Sequence, residues 1–513
     1  MRRPLRKPHG LRNEDIENYE ETADYVVYYE GSNIIALDGH SGLEISRSTD
    51  ASTVIQAAID ALTTGGIIFI KPGTYSIVTG LTMGVDSDNL SIIGSGGGYW
   101  ETSGATIFSQ GGDIDILTIN GLATGTRVKH PIISGIKFYN SAAHTGMGIH
   151  VLWATTLTIE HCGFKGFQEE AIKMESVWAS IVSDCHFKNN GDVGTTLSTV
   201  WIGSTGADDS KTPIIKDCVF EVNDYRMITC NCARMKVYGC FFEATGNAPS
   251  DIGITGTFAS SIISGNSFVD LEAIPTMYWI ESKGWNNIIA NNSFSGSKAA
   301  IFNTGAVVRY NVITGNVISG CYDYGIKLVS THPNLVCNNV INACGHAGVF
   351  GGIYVTTRQY IIGNEIVDCD AYAIYISGAS ALTIKDNWIH EEINAGDLDR
   401  GISCAGGADN NFFIGNRIEN CAVSYIAGAG ASTVIKDNTG YVTENEGASG
   451  VTADGATIAH GLSAAPTGVL ITPTIAGDIV SVSALAAATF TVSIKDEGGG
   501  AGTAQVLYWR AWV

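Results

Sequence analysis

The sequence predicts an all-β protein. The expected fold is a right-handed parallel β-helix of about 13 coils, with an N-terminal capping helix and a small C-terminal β-sandwich. Three observations predict it. One position recurs about every 25 residues before an aromatic or branched residue: Asn266, Asn292, Asn316, Asn339, Asn364, Asn387, Asn416 and Asn438. Earlier in the chain the same slot holds Cys240, Cys218, Cys185, Cys162 and Ile136. Between rungs, short runs alternate apolar and polar residues, as in AIYIS (373–377) and LTIKDN (382–387). Period-2 alternation bounded by Gly, Asn and Asp marks strands, and a fixed period of this length marks a solenoid. Each repeat has room for two or three strands and none for a helix pair. Stacked repeats bury one another's apolar faces and pair strand to strand.

In chain order, residues 1–20 are polar and read as an arm. Residues 24–47 read as a strand pair with turns at Gly31-Ser32 and Asp38-Gly39. In TDASTVIQAAIDALTTGG, the residues Val54, Ile55, Ala58, Ile59 and Leu62 share one helical face. Asp50 or Ser52 caps that helix and Gly65 ends it. The strand-and-turn segment IIFIKPGTY follows. Coils continue to near Gly440, giving a β-helix over 48–445 after an N-terminal region of 1–47. ENEGASG (444–450) reads as a linker, and 450–513 as a module of five short strands.

The rungs are scaffold. A buried Asn above another Asn passes amide hydrogen bonds from coil to coil, and the Cys rungs act as small buried apolar groups. A second ladder holds Cys321, Cys344, Cys369 and Cys421, with Glu392 as its odd member. No CxxC pair occurs, so all twelve cysteines are expected to be free, with no metal or other cofactor.

The chain has 513 residues and a net charge of −21, from 50 Asp and Glu against 29 Lys and Arg. That balance argues against nucleic acid as the main partner. No apolar run is long enough to span a membrane. The opening MRRPLRKPHGLRNEDIENYEE lacks the apolar stretch of a secretory signal, so the expectation is synthesis in the cytoplasm and use outside on a particle.

The helix–strand–PGTY passage at 50–77 resembles the opening of the pectate-lyase-like β-helix superfamily, which includes virus tailspikes. There an amphipathic helix plugs the first coil. The sequence AHGL…APTGV…TP…TFTVSI…WRA resembles C-terminal β-sandwich modules of phage and archaeal-virus tail proteins. These resemblances imply a virion or extracellular surface protein that binds cell-surface polysaccharide as a homotrimer. The N-terminal arm would meet other virion or appendage proteins. The fold alone does not decide activity. A polysaccharide hydrolase or lyase on the same β-helix is the alternative, and a purely structural surface protein the second. The polygalacturonase-like motif set and the calcium-binding Arg cluster of pectate lyases have no counterpart. Gly345-His346-Ala347-Gly348 is a broken echo of one motif.

Counting from each rung gives two groups of candidate residues. One outward position per coil runs His150, Lys173, Trp201, Thr229, Gly253, Trp279, Phe302, Lys327, Tyr354, Tyr375, Ser403 and Ala427. Trp279, Phe302, Tyr354 and Tyr375 would form an aromatic stripe: a surface under a loop, a subunit interface or a sugar platform. The second group is carboxylates in register on adjacent coils. Asp368 and Glu391 share a slot about 5 Å apart, close enough for one to be held protonated as a glycosidase acid. Asp323 and His346 stack by the same count, with Asp370, Asp397, Asp399 and Arg400 nearby. Long coils carry NNGDVGTTLS, GHAGVFGG and HEEINAGDLDRG, and long loops on a rigid scaffold are common binding sites.

Overall fold

The computed structural model describes residues 22–512, apart from 97–103, 124, 142–143, 192–196, 205–208, 224–225, 245–251, 271–277, 346–349, 393–397, 407, 431 and 442–443. The chain divides into two compact units, Met1–His346 and Ala347–Val513. The arm over 1–20 lies outside the described residues, as do parts of all three long coils.

The first unit opens with three antiparallel strands rather than two: β1 (Tyr25–Glu30), β2 (Asn33–Asp38) and β3 (Glu44–Ser48). The segment taken as the tail of a strand pair turns back at Gly42 and pairs with β2. Helix α1 (Ala51–Ala61) begins at Asp50, whose carboxylate accepts from Ser52 N at 3.0 Å. Val54, Ile55, Ala58 and Ile59 are buried.

Next come β4 (Gly66–Ile70), β5 (Gly73–Ile77) and β6 (Leu81–Met83), the strands of the first coil. The helix does more than cover their apolar side. Ser52 Oγ accepts from Val78 N and Thr79 N, and the Gln56 amide both accepts from Thr82 N and donates to Thr82 O. Gln56 thereby takes a neighbouring strand's place at an open sheet edge, where unpaired backbone groups would otherwise recruit another chain.

From there three parallel ladders climb the unit. β4 leads to Leu90–Gly94, Ile132–Ser134 and onward to Leu335–Cys337. β5 leads to Thr106–Gln110, Ile136–Tyr139 and onward to Val340–Asn342. β6 leads to Leu117–Asn120, Ile149–Leu152 and onward.

The rung position is explained by the residue before it. Gly135, His161, Asp184, Asp217, Gly239, Gly265, Asn291, Gly315 and Asn338 all have φ between 51° and 68°. This is the left-handed region, which Gly, Asn and Asp enter most easily. The chain turns sharply there, and the next side chain faces inward.

Buried Asn residues then satisfy the turn. Asn292 Nδ2 donates to Asn316 Oδ1 at 3.0 Å and to Ile263 O at 3.0 Å, while its Oδ1 accepts from Asn266 N and Nδ2. A second Asn ladder, invisible to the first count, joins Asn287, Asn311 and Asn334. Two residues past the rungs, Phe138, Phe164, Phe187, Phe220, Phe242, Phe268 and Phe294 stack with centroids 4.6–5.0 Å apart and planes within 10°. That spacing matches the strand separation of about 4.8 Å.

The second unit repeats the pattern. Asn364, Asn387, Asn416 and Asn438 form its rung ladder. Its C-terminal part is a pair of three-stranded antiparallel sheets, around a core that includes Ile458, Phe490, Val492, Ile494, Leu507 and Trp509. The stretch read as a linker is a sixth strand, Glu444–Ala448, paired with Leu507–Trp512. It can pack there because Gly447 has no side chain and Trp509 lies against it.

Two cysteine expectations are corrected. Cys230 and Cys232 are bonded, their Cα atoms 5.6 Å apart, within the range a disulfide spans. Glu392 is exposed and leaves the second ladder, while Leu398, past the loop, is buried. The other ten cysteines are free.

Candidate functional site

Strand pairing in the first unit sets the outward column of the third ladder. His150 lies opposite Lys173, Lys173 opposite Trp201, and Trp201 opposite Thr229. The column continues through Thr255, Glu281, Phe302 and Lys327. Gly253 and Trp279 are therefore misplaced by two residues in the sequence-derived series.

Trp279 is fully buried, a correction to its expected outward position. Its ring packs 5.3 Å from Phe268 and its Nε1 donates to Gly296 O at 2.7 Å. The reason lies one coil back: a Cβ on Gly253 would sit 3.0 Å from Trp279 Cε3, so the glycine leaves the space that the indole fills.

The aromatic residue that reaches the surface from this coil is Tyr278. Its ring stacks on Phe302 with centroids 4.8 Å apart. Two lysines flank the pair: Lys298 Nζ is 5.8 Å from the Tyr278 centroid and Lys327 Nζ 5.5 Å from Phe302, and Lys327 Nζ is also 5.9 Å from Tyr324. Sequence counting missed Tyr278, Lys298 and Tyr324. The available signal was the residue before Trp279, read together with the glycine 26 positions earlier.

Asp323 joins this group and is 7% exposed. Burial raises its pKa, and the charges of Lys298 and Lys327 only partly oppose the shift. Burial also lowers the pKa of Lys327, assisted by Lys298 and opposed by Asp323. A carboxyl with its pKa raised and an amine with its pKa lowered stand in one patch with stacked rings. Such opposed shifts are what acid–base chemistry and ligand desolvation both require. His346, expected to stack on Asp323, lies outside the described residues.

In the second unit Tyr354 lies opposite Tyr375, with ring centroids 5.8 Å apart. Tyr372 is 4.9 Å from Tyr375, and Arg400 stands 5.8 Å over Tyr372. Ser403 and Ala427 follow Tyr375 in register and end the aromatic run.

On another ladder Ile366 pairs with Ile389 and Val367 with His390, which makes Asp368 and Glu391 the next pair. Asp368, at φ 48°, accepts from Glu392 N at 2.6 Å. Glu391 is buried and its Oε1 accepts from Leu398 N at 2.9 Å. Each carboxylate thus holds backbone of the long coil. Asp397 lies outside the described residues.

Two family models match the chain. One, described as rhamnogalacturonase A/epimerase, pectate lyase-like, matches residues 39–231. The other, described as periplasmic copper-binding protein (NosD), matches 203–345 and 311–446. Residues 39–231 thus match a pectate-lyase-like family model, and the described coils form a parallel β-helix.

Solved structures similar to this β-helix include Geobacillus virus E2 ORF18, at 17% identity and TM-score 0.42, covering 61% of this chain and 58% of that one. The Dettilon tailspike protein aligns at 14% identity and TM-score 0.47, covering 90% and 91%. The A-module of the Azotobacter vinelandii mannuronan C-5 epimerase AlgE4 aligns at 13% and 0.47, covering 75% and 96%. The β-helix spans little more than half of the virus ORF18 protein. No curated protein matches the sequence.

Copper is named in one family description. Among the described residues no group of three or more His, Cys, Asp or Glu is placed to hold a metal ion. Most of the free cysteines of the matched span are buried.

Proposed function

We propose that this β-helix is a tailspike- or tail-fibre-like surface protein that binds cell-surface polysaccharide as a homotrimer on a virion or extracellular surface. The observation that carries the reading is the stacked Tyr278–Phe302 pair with its lysines. Aromatic faces on consecutive coils repeat at one strand spacing and suit the apolar faces of successive sugar rings, while cations beside them suit ring hydroxyls or carboxylates. Tyr354, Tyr375 and Tyr372 offer a second such surface in the other unit. The family description over 39–231, which names carbohydrate-acting proteins, supports the same substrate class.

The reading is tested by affinity electrophoresis of the full chain through gels containing host polysaccharide. Tyr278→Ala with Phe302→Ala should lose most of the retardation while keeping the same oligomeric mass. Unchanged retardation would discard this surface. If the mass also fell, the pair would be a subunit interface instead.

A second reading, polysaccharide cleavage, is favoured by the buried carboxyl of Asp323 beside Lys327. Asp368, Glu391 and His346 remain candidates for that chemistry. Product release that persists in Asp323→Asn but stops in Asp368→Asn and Glu391→Gln would move it to the second unit.

A further inference from the structure

The outward face of the first ladder carries a strip that the carbohydrate reading leaves unused. Each three-residue strand there buries its middle residue and turns its first residue outward. Pairing from Ile132–Ser134 to Leu335–Cys337 sets nine such first residues in one column. All but Thr158 and Lys236 are Ile, Val or Leu. The matching column of the third ladder carries His150, Lys173, Glu281 and Lys327, so outward positions in this unit are not apolar as a rule.

The strip is open to solvent. Ile288 is 40% exposed, and Ile214, Ile262, Val312 and Leu335 are half-buried. Tyr310, two residues before Val312, is 58% exposed, and Tyr238, two residues after Lys236, is also exposed. These tyrosines widen the strip at its two borders. Its length of about eight rung spacings is about 38 Å, and its width of about five residues is about 17 Å. That is a flat area of about 650 Å², near the ~800 Å² that one partner gives to a standard protein interface. A contiguous apolar patch of this size marks an interaction surface.

The middle of the strip is charged. Ile214, Ile262, Thr212, Ser260, Arg234 and Lys236 line a cleft of about 410 Å³ there. Among the described residues neither Arg234 nor Lys236 meets a carboxylate, although the chain holds 50 acidic residues against 29 Lys and Arg.

We propose that this strip is a contact between neighbouring copies of the chain, with a carboxylate of the next copy seated in the Arg234–Lys236 cleft. The proposal rests on the homotrimer reading above and supplies its surface. Aliphatic side chains favour a protein over a glycan, because sugar rings stack on flat aromatic faces. A second copy, with its excess of acidic residues, brings the carboxylate that the cleft lacks.

The contact is head-to-tail. Lys236 is the fifth of the nine residues in the column. Two strips overlapped fully about a two-fold axis would therefore place lysine against lysine, a costly like-charge pair. The strip of one copy meets a different face of the next instead, and three such contacts close a ring.

Light scattering of the full chain across a dilution series tests this. The parent should have the mass of three chains. Ile262→Glu with Ile288→Glu buries two carboxylates in the contact and should leave a one-chain mass, with a far-UV spectrum like the parent's. Lys236→Glu sets a carboxylate against the one that the cleft receives. It should raise the concentration at which the trimer dissociates by about 10-fold or more.

If the double variant loses the parent's spectrum, Lys236→Glu alone decides. A trimeric parent whose Lys236→Glu form dissociates no sooner overturns this surface and leaves the homotrimer standing. A folded double variant that stays trimeric does the same. A two-chain parent mass overturns the head-to-tail contact. A one-chain parent mass overturns the homotrimer and this surface together, and leaves polysaccharide binding to the gel test.

Discussion

Asn292 shows what a rung residue contributes. It is 2% exposed, and it donates to Asn316 and Ile263 while accepting twice from Asn266. Asn292→Ala leaves several buried groups without a partner, and should cost ~2–4 kcal/mol in urea unfolding. A change below half that would show that water replaces the amide. Phe220 sits in the middle of the ring stack, fully buried, so Phe220→Ala should cost ~3–5 kcal/mol by the same measurement. The rung asparagines and the phenylalanines two residues on were legible in the sequence, because both recur at the period. Tyr278 and Trp279 were not separable that way. They are neighbours with similar apolar character, and only the missing side chain at Gly253 sends the larger one inward.

At the scale of elements, α1 was legible from its apolar face and its Asp50 cap, but its part in closing the first coil was not. Ser52 and Gln56 look like ordinary polar residues of a helix. The structure places them against the backbone of 78–82, where they stand in for a strand. Ser52→Ala removes the acceptor for two backbone N–H groups and should cost ~1–3 kcal/mol. Gln56→Ala should lose about 1 kcal/mol and increase self-association, read as added mass in light scattering. If stability fell without added mass, the edge would be protected by something other than Gln56. The strand Glu444–Ala448 was missed for a similar reason. Asn445 and Gly447 are its half-buried positions and carry no apolar side chains, so alternation gave no signal there.

For the whole molecule, two histidines give the pH dependence opposite slopes. His150 has its pKa raised, mainly by the hydrogen bond to Asp115 and despite burial. Its contribution is complete below the ordinary value of about 6.5 and is lost as pH rises through the folded value. Burial pushes His186 down to about 4, with Glu221 opposing the shift. Its neutral form is favoured in the fold, so stability is complete above about 6.5 and declines as pH falls towards the folded value. Melting temperature against pH should therefore flatten on the alkaline side in His150→Asn and on the acid side in His186→Asn. Parallel curves for parent and variants would refute both assignments. The proposed homotrimer predicts a light-scattering mass of three chains, and a monomer mass would remove it. The sequence by itself determined the coil: its period, the inward rung, the left-handed residue before it and the helix at its start. These follow from local backbone preference and period-2 alternation, which act within a few residues. Only the tertiary structure decided which aromatics face outward and which charges meet. Asp115, His150 and Glu175 come from three successive coils, and the room for each side chain is set by residues a full coil away.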